Sequence, residues 1–123
     1  MLPAPVTEPG SPVAAGTCVV LGDVLLISDL LPRDGNSWPD ERQRVVVDAR
    51  RDAALYAQAR QTAPATLFEP LTSLADFTTF VADTVQGSAD AASARAAIDA
   101  YPAQGEVGAA SSEVDRWTRT NCS

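Results

Sequence analysis

The clearest pattern of apolar and polar positions lies between Trp38 and Ala63, a segment that contains no Gly and has its one Pro in the first turn. Its apolar residues recur at helical spacings on one face, and they are Val45, Val46, Ala49, Ala53 and Tyr56. Charged residues follow the other face at spacings that allow ion pairs, and they are Asp40, Arg44, Asp48 and Arg51. Ser37 and Asp40 have the spacing of a capping box. The pattern predicts an amphipathic helix over 38–63.

Turn residues divide the rest of the C-terminal half into three more predicted helices. Apolar residues at helical spacing predict the first over 70–86. An alanine-rich helix should then start at Ser88 and Asp90 and end before Pro102. After Gly108, a last helix should run to Cys122 with its apolar residues on one side.

The apolar segment from Cys18 to Leu31 has two interpretations. Thr17 could cap a single helix over 18–31, which Pro32 would end, and apolar residues would then cover nearly all its sides. Alternatively, Gly22-Asp23 could form the two-residue turn of a β-hairpin. A lone hairpin is only marginally stable, and no other strand signal follows, so we favour the helix.

Residues 1–16 contain four Pro and two Gly, which predicts a flexible, semi-extended linker rather than a regular element. A terminus without a role would look the same. The remainder, 17–123, has the size of one domain. We therefore predict an all-α fold: a compact bundle of four or five helices after a disordered Pro-rich leader.

Two cysteines bracket the predicted domain, Cys18 at its start and Cys122 at the next-to-last position. Chain termini in a domain often lie close together at the surface, so these residues could form a disulfide that clasps the first and last helices. Such bonds persist in oxidising compartments and are rare in the cytosol. The alternative is a cytosolic protein with a buried Cys18 and an exposed thiol at Cys122.

Composition excludes some classes of partner. The net charge is −7, which repels nucleic-acid phosphates and anionic lipid headgroups, so we expect no nucleic acid as partner. All nine basic residues are Arg, with no Lys and no His, as codon bias in a high-GC bacterium would produce. Composition and cysteine placement resemble small secreted or envelope-tethered helical domains of such bacteria, although no run of residues identifies a family.

No segment has the length of a membrane span, because the longest apolar stretch is 18–31 and contains two Asp. The start of the chain, Met1-Leu2-Pro3, has no basic residue and leads into no apolar run, so no signal peptide is predicted. An exported protein would therefore carry its signal or membrane anchor upstream of Met1. The expected location is extracellular or a periplasm-like space of the cell envelope.

The sequence contains few residues that could bind a metal or catalyse a reaction. Asp34, Asn36 and Asp40 resemble the start of a calcium loop, but Pro39 and Val45 occupy the positions that an EF-hand gives to Gly and Glu. Without His or Lys, acid–base catalysis would fall to scattered carboxylates, none of which stands out as a pair. No nucleophile or nucleotide-binding motif is present. We expect no enzyme activity, no metal and no cofactor.

One surface of the predicted 38–63 helix is a candidate for recognition. Val47 and Leu55 lie off its main apolar face, and three arginines surround them, Arg44, Arg50 and Arg51. Either another helix covers these residues or they contact a partner. We expect a non-catalytic domain that binds another envelope or extracellular protein. A carrier of a small apolar ligand between helices and a cytosolic or phage-encoded interaction protein with reduced cysteines are the alternatives.

Overall fold

A computed structural model describes residues 12–122, and within this range every regular element is helical. The α-helices, in chain order, are α1 (Pro12–Leu21), α2 (Ile27–Leu30), α3 (Trp38–Arg60), α4 (Phe68–Gln86), α5 (Ala91–Asp99) and α6 (Gln104–Asn121). A short 3-10 turn, Ala65–Leu67, links α3 to α4. The predicted all-α class is confirmed for these residues.

The two longest helices, α3 and α4, pack against each other and form the centre of the fold. From α3, Val45, Ala49 and Ala59 are fully buried, and α4 contributes an apolar stripe that includes Phe77 and Val81. The two buried alanines take up little volume, so they leave room for larger side chains in the interior. The remaining helices pack around this pair, mainly α1 against α3 and α6 against α4.

The last two helices follow the predicted signals in part. The Asp90 carboxylate caps α5 by accepting a hydrogen bond from Ser93 N at 2.7 Å, as the Asp at this position indicated. The expectation that α6 would start after Gly108 was wrong, because α6 begins at Gln104 and passes through Gly105 and Gly108. Both glycines lie on the exposed side of α6, so the buried side keeps the packing of the helix.

The segment 18–31 is neither one helix nor a hairpin. The first helix ends at Leu21, the chain turns at Gly22, and α2 is a single turn. A helix with apolar residues on all sides would need neighbours on all sides, which a domain of this size does not supply. With the break, Leu21 and Leu30 both enter the protein interior, while Val19 and Leu26 stay 70% and 71% exposed.

The start of the helical region was also misplaced. Thr17 does not cap a helix; it is fully buried within α1, where its hydroxyl shares a 2.9 Å hydrogen bond with Thr62 Oγ1. Helical structure begins at Pro12, inside the predicted leader 1–16. The rest of that leader, 1–11, lies outside the described residues. Splitting the first helix gives six α-helices in 12–122, rather than four or five.

A disulfide between Cys18 and Cys122 joins α1 to the end of α6, as predicted. The two Cα atoms are 5.7 Å apart, within the usual range for a disulfide, and the bond spans 104 positions of sequence. It closes a loop that contains nearly the whole domain. The crosslink therefore restricts the unfolded chain far more than it restricts the native structure.

Replacing both cysteines by serine should destabilise the domain without changing its helical content. Loop-closure entropy gives an upper estimate of about 4–5 kcal/mol for the loss in free energy of unfolding. Urea denaturation of the wild type and of the Cys18→Ser/Cys122→Ser variant measures it. The wild type in reductant should match the variant, and equal midpoints for oxidised and reduced protein would contradict the expectation.

Candidate functional site

The predicted partner surface divides into two parts because its residues lie on different sides of α3. One part, with Arg44, Arg51 and Leu55, is on the side where the segment between α1 and α3 crosses the helix. Arg50 is on the other side, next to α4, and Val47 lies between the two sides, one helical turn from both Arg44 and Arg50. The sequence placed these residues together because helical spacing alone does not show which neighbour covers each side.

Arg44 anchors the chain rather than lining an open surface. Its guanidinium donates to the backbone carbonyls of Asp29 and Leu31, at 3.0 and 3.1 Å. It also pairs with Glu41 at 2.6 Å and with Asp48 at 3.4 Å. With these partners, Arg44 holds the segment after α2 against α3 and has little capacity left for another protein.

Arg51 and Leu55 are less enclosed than Arg44. The Arg51 side chain is 47% exposed and lies 3.6 Å from the buried carboxylate of Asp52. Leu55 is half-buried. Their accessible parts could still contact a partner, but Arg51 also partly neutralises Asp52, so its substitution would disturb the structure.

Val47 and Arg50 belong to a shallow cavity between α3 and the end of α4, which we call the α3 patch. The cavity measures about 360 Å³ and is lined by Pro39, Arg42, Gln43, Val46, Val47 and Gln86. Arg50 stands at its rim, donating to Gln86 Oε1 and to Asp83 Oδ1, each at 2.9 Å. Val47 is 56% exposed there. Sequence reasoning did not include Arg42, which carries the second positive charge of this patch.

A buried carboxylate, Glu41, organises the connection before α3. It lies one helical turn before Val45 on the buried stripe and is 2% exposed. Its oxygens accept hydrogen bonds from Arg33 N at 2.7 Å, Asn36 Nδ2 at 3.1 Å and the Arg44 guanidinium. The hydrogen bonds from Arg44 and the backbone outweigh desolvation and lower the pKa of Glu41 from 4.5 to about 2.

A second buried carboxylate, Asp52, is fully enclosed on the same stripe. Its Oδ2 accepts a hydrogen bond from Leu25 N at 2.9 Å, while Oδ1 has no hydrogen-bond partner among the described residues. Desolvation raises the pKa of Asp52 above its ordinary value. Burial, together with the neighbouring Asp52, raises the pKa of Tyr56 to about 12. Both carboxylates therefore accept hydrogen bonds from the backbone between α1 and α3, so their role is to stabilise the fold.

A second groove runs between the residues after α1 and the side of α6. It encloses about 460 Å³. One wall is aliphatic and includes Val24, Leu25 and Leu26, whereas the α6 wall carries Ser111, Ser112 and Asp115. An open groove with one apolar and one polar wall suits an amphipathic ligand better than a fully apolar one.

The residues that resemble the start of a calcium loop have structural partners. Asp34 pairs with Arg95 at 3.1 Å and Asn36 donates to Glu41, so neither residue is arranged as in a calcium loop. Within 12–122, no three His, Cys, Asp or Glu side chains come together as a metal site. No helix of the described range combines the length and apolarity needed to cross a membrane.

Comparison with protein-family models, with curated proteins and with solved structures finds no match to this chain.

The two buried carboxylates should respond differently to neutralisation. Glu41→Gln removes the charge that Arg44 and Arg33 N stabilise, and the lowered pKa corresponds to about 3 kcal/mol of stability near neutral pH. Because the folded pKa lies below the unfolded one, this contribution is present above pH 4.5 and is lost as pH falls towards 2. Urea denaturation of wild type and variant across that range measures the difference.

Asp52→Asn is the matched control for that experiment. It keeps an acceptor for Leu25 N but removes a charge whose burial is unfavourable, so its cost near neutral pH should be under about 1 kcal/mol. The assigned roles would be contradicted if the two variants lost the same free energy of unfolding. They would also be contradicted if the difference in free energy of unfolding between wild type and Glu41→Gln did not decrease on acidification.

Proposed function

We propose that this chain is a non-catalytic domain that binds another protein through the α3 patch. The observation that carries the proposal is a half-exposed aliphatic side chain, Val47, on a concave surface with Arg42 and Arg50 at its edge. The net charge of the chain is −7, so this positive surface contrasts with the molecule as a whole. Arginine is enriched at protein interfaces, and the exposed Val47 side chain adds apolar area beside the two arginines.

The charges of the patch are available to a partner. Among the described residues, Arg42 forms no ion pair within 4.0 Å. The Arg50–Asp83 pair is exposed on both sides, and such pairs contribute only about 0–1 kcal/mol. A carboxylate from a partner could therefore replace Asp83 at little cost. The complementary partner carries acidic residues around a small apolar side chain.

The proposed compartment is outside the cytoplasm, with the domain either secreted or tethered to the cell envelope. The Cys18–Cys122 bond supports this placement because disulfides persist in oxidising compartments. A cytosolic protein with reduced cysteines would lack the crosslink between α1 and α6.

A carrier function is the second candidate, and the groove between the residues after α1 and α6 favours it. The groove volume of about 460 Å³ is within the range of small-molecule sites. Its mixed lining favours an amphipathic ligand, with the apolar part against Val24 and Leu26 and the polar part near Asp115.

Variants of the α3 patch test the main proposal. A photo-crosslinking residue at position 47, introduced in native cells, should capture a partner that the same residue at exposed position 119 of α6 does not capture. Titration calorimetry with that purified partner should then show weaker binding of Arg50→Glu, by about tenfold. Val47→Asp should weaken binding at least as much, because it places a charge at the apolar centre.

Arg119→Glu is the matched control, since Arg119 is an exposed arginine on α6 whose ion pair is with Asp115 one turn away. Circular dichroism should show the same helical content for all variants. The proposal fails if the captured protein binds Arg50→Glu, Val47→Asp and Arg119→Glu as tightly as the wild type.

Dye binding tests the carrier candidate. Ser112→Phe would fill the groove from its α6 wall and should reduce fluorescence enhancement of anilinonaphthalene sulfonate, an amphipathic probe. Ala96→Phe on exposed α5 adds the same side chain elsewhere and should leave the enhancement unchanged. Equal enhancement for both variants would remove the support for this candidate.

A further inference from the structure

A third surface, which we call the α4–α6 groove, follows one side of α6 where it packs near the 3-10 turn and the start of α4. It consists of two adjoining cavities of about 540 and 310 Å³, which share Thr66 and Glu113 in their linings. Along α6 the groove extends from Glu106 to Asn121, about 22 Å at the rise of an α-helix. It is separate from the α3 patch and uses none of its residues.

The larger cavity is acidic. Glu69 from α4 and Glu106 and Glu113 from α6 line it, and all three are exposed. None of them forms an ion pair within 4.0 Å among the described residues. Between them the floor has small side chains, including Ser73 and Ala109, which leave room for a side chain from outside. The cavity is therefore suited to a long cationic group.

The smaller cavity contains two buried polar side chains with unused hydrogen-bonding atoms. Trp117 and Asn121 both line it and are 8% and 6% exposed. No group among the described residues accepts from Trp117 Nε1, and none donates to Asn121 Oδ1. The orientation of the Asn121 amide follows from its Nδ2, which donates to the Trp117 carbonyl at 2.9 Å. Buried polar atoms without partners are rare because each costs about 1–3 kcal/mol.

The unused atoms are one donor and one acceptor, on residues one helical turn apart in α6. An extended peptide supplies both complements from one residue, because the N–H and C=O of that residue point to the same side: the carbonyl can accept from Trp117 Nε1 and the N–H can donate to Asn121 Oδ1. An inorganic cation could be ligated by Asn121 Oδ1 but would leave Trp117 Nε1 without an acceptor. Arg116 lies at this end of the groove and would repel a basic side chain, which leaves the glutamate end for the positive charge.

We propose that the α4–α6 groove binds an extended peptide segment carrying a basic side chain. The peptide backbone engages Trp117 and Asn121, displacing the exposed rim side chains Arg116 and Thr120, and the basic side chain lies among Glu69, Glu106 and Glu113. The ligand class is opposite in charge to the partner proposed for the α3 patch. The two surfaces could therefore be occupied at the same time.

Nuclear magnetic resonance of the two indole N–H groups tests this proposal with the whole chain. The probe is a capped peptide with one arginine between glycines, and its matched control has citrulline, a neutral isostere, in place of arginine. Binding should shift the Trp117 Nε1–H resonance. The Trp38 resonance should stay in place, because Trp38 Nε1 already donates to the Ser88 carbonyl at 3.0 Å.

Three comparisons distinguish binding of the basic side chain from binding of the peptide backbone. The citrulline peptide should bind about tenfold more weakly than the arginine peptide, since it loses charge-assisted contacts. Glu69→Gln/Glu106→Gln/Glu113→Gln should reduce arginine-peptide affinity by a similar factor, and these exposed substitutions should leave helical content unchanged. Guanidinium ion alone should produce no Trp117 shift.

Several results would overturn the proposal. A Trp117 resonance that stays fixed at saturating peptide excludes backbone recognition at this groove. Equal affinity for arginine and citrulline peptides, or for wild type and the triple Gln variant, excludes the cationic subsite. An equal Trp117 shift from guanidinium ion shows that only a cation is bound. Arg50→Glu should leave the peptide affinity unchanged, so this test is independent of the α3 patch.

Discussion

The close packing of α3 on α4 is the interaction on which the rest of the structure depends. These helices supply most of the interior, and fully buried alanines, Ala49 and Ala59 on α3 and Ala82 on α4, remove bulk from it. The shorter helices gain their stability from this pair, since isolated helices of about ten residues are only marginally stable in water. The disulfide then joins α1 to the end of α6, the two elements that start and finish the described domain.

Two buried carboxylates hold the segment between α1 and α3 in place by accepting hydrogen bonds from its backbone. The segment between α1 and α3 has few backbone hydrogen bonds of its own beyond the one turn of α2. Glu41 and Asp52 accept from its backbone N–H groups, and Arg44 donates to its carbonyls. The free-energy cost of burying the ionised carboxylate is smaller for Glu41 than for Asp52. Glu41 has a cationic partner and three hydrogen-bond donors, whereas one oxygen of Asp52 has no hydrogen bond among the described residues.

The molecular surface separates its charges in a way that suits recognition. The α3 patch presents Arg42 and Arg50 around an aliphatic side chain, and the α4–α6 groove presents three glutamates beside two buried polar groups. Since the two surfaces share no residue and attract opposite charges, they are expected to select different ligands. Together they support a role as a binding domain that contacts more than one molecule.

Helical spacing, stop residues and cysteine placement were enough to predict the all-α class, the start of a helix near Asp90 and the Cys18–Cys122 bond. Each depends on local backbone preference or on the proximity of termini in a compact domain. The sequence also contained a signal that was missed: Glu41 and Asp52 fall on the same helical stripe as Val45, Ala49 and Tyr56, which marks them as buried carboxylates. Tertiary structure alone decided the break of 18–31 and the different fates of two neighbouring residues of α3, since Arg44 binds the carbonyls of Asp29 and Leu31 while Val47 stays 56% exposed. Those outcomes depend on which neighbour covers each side of a helix, and periodicity within one segment carries no information about its neighbours.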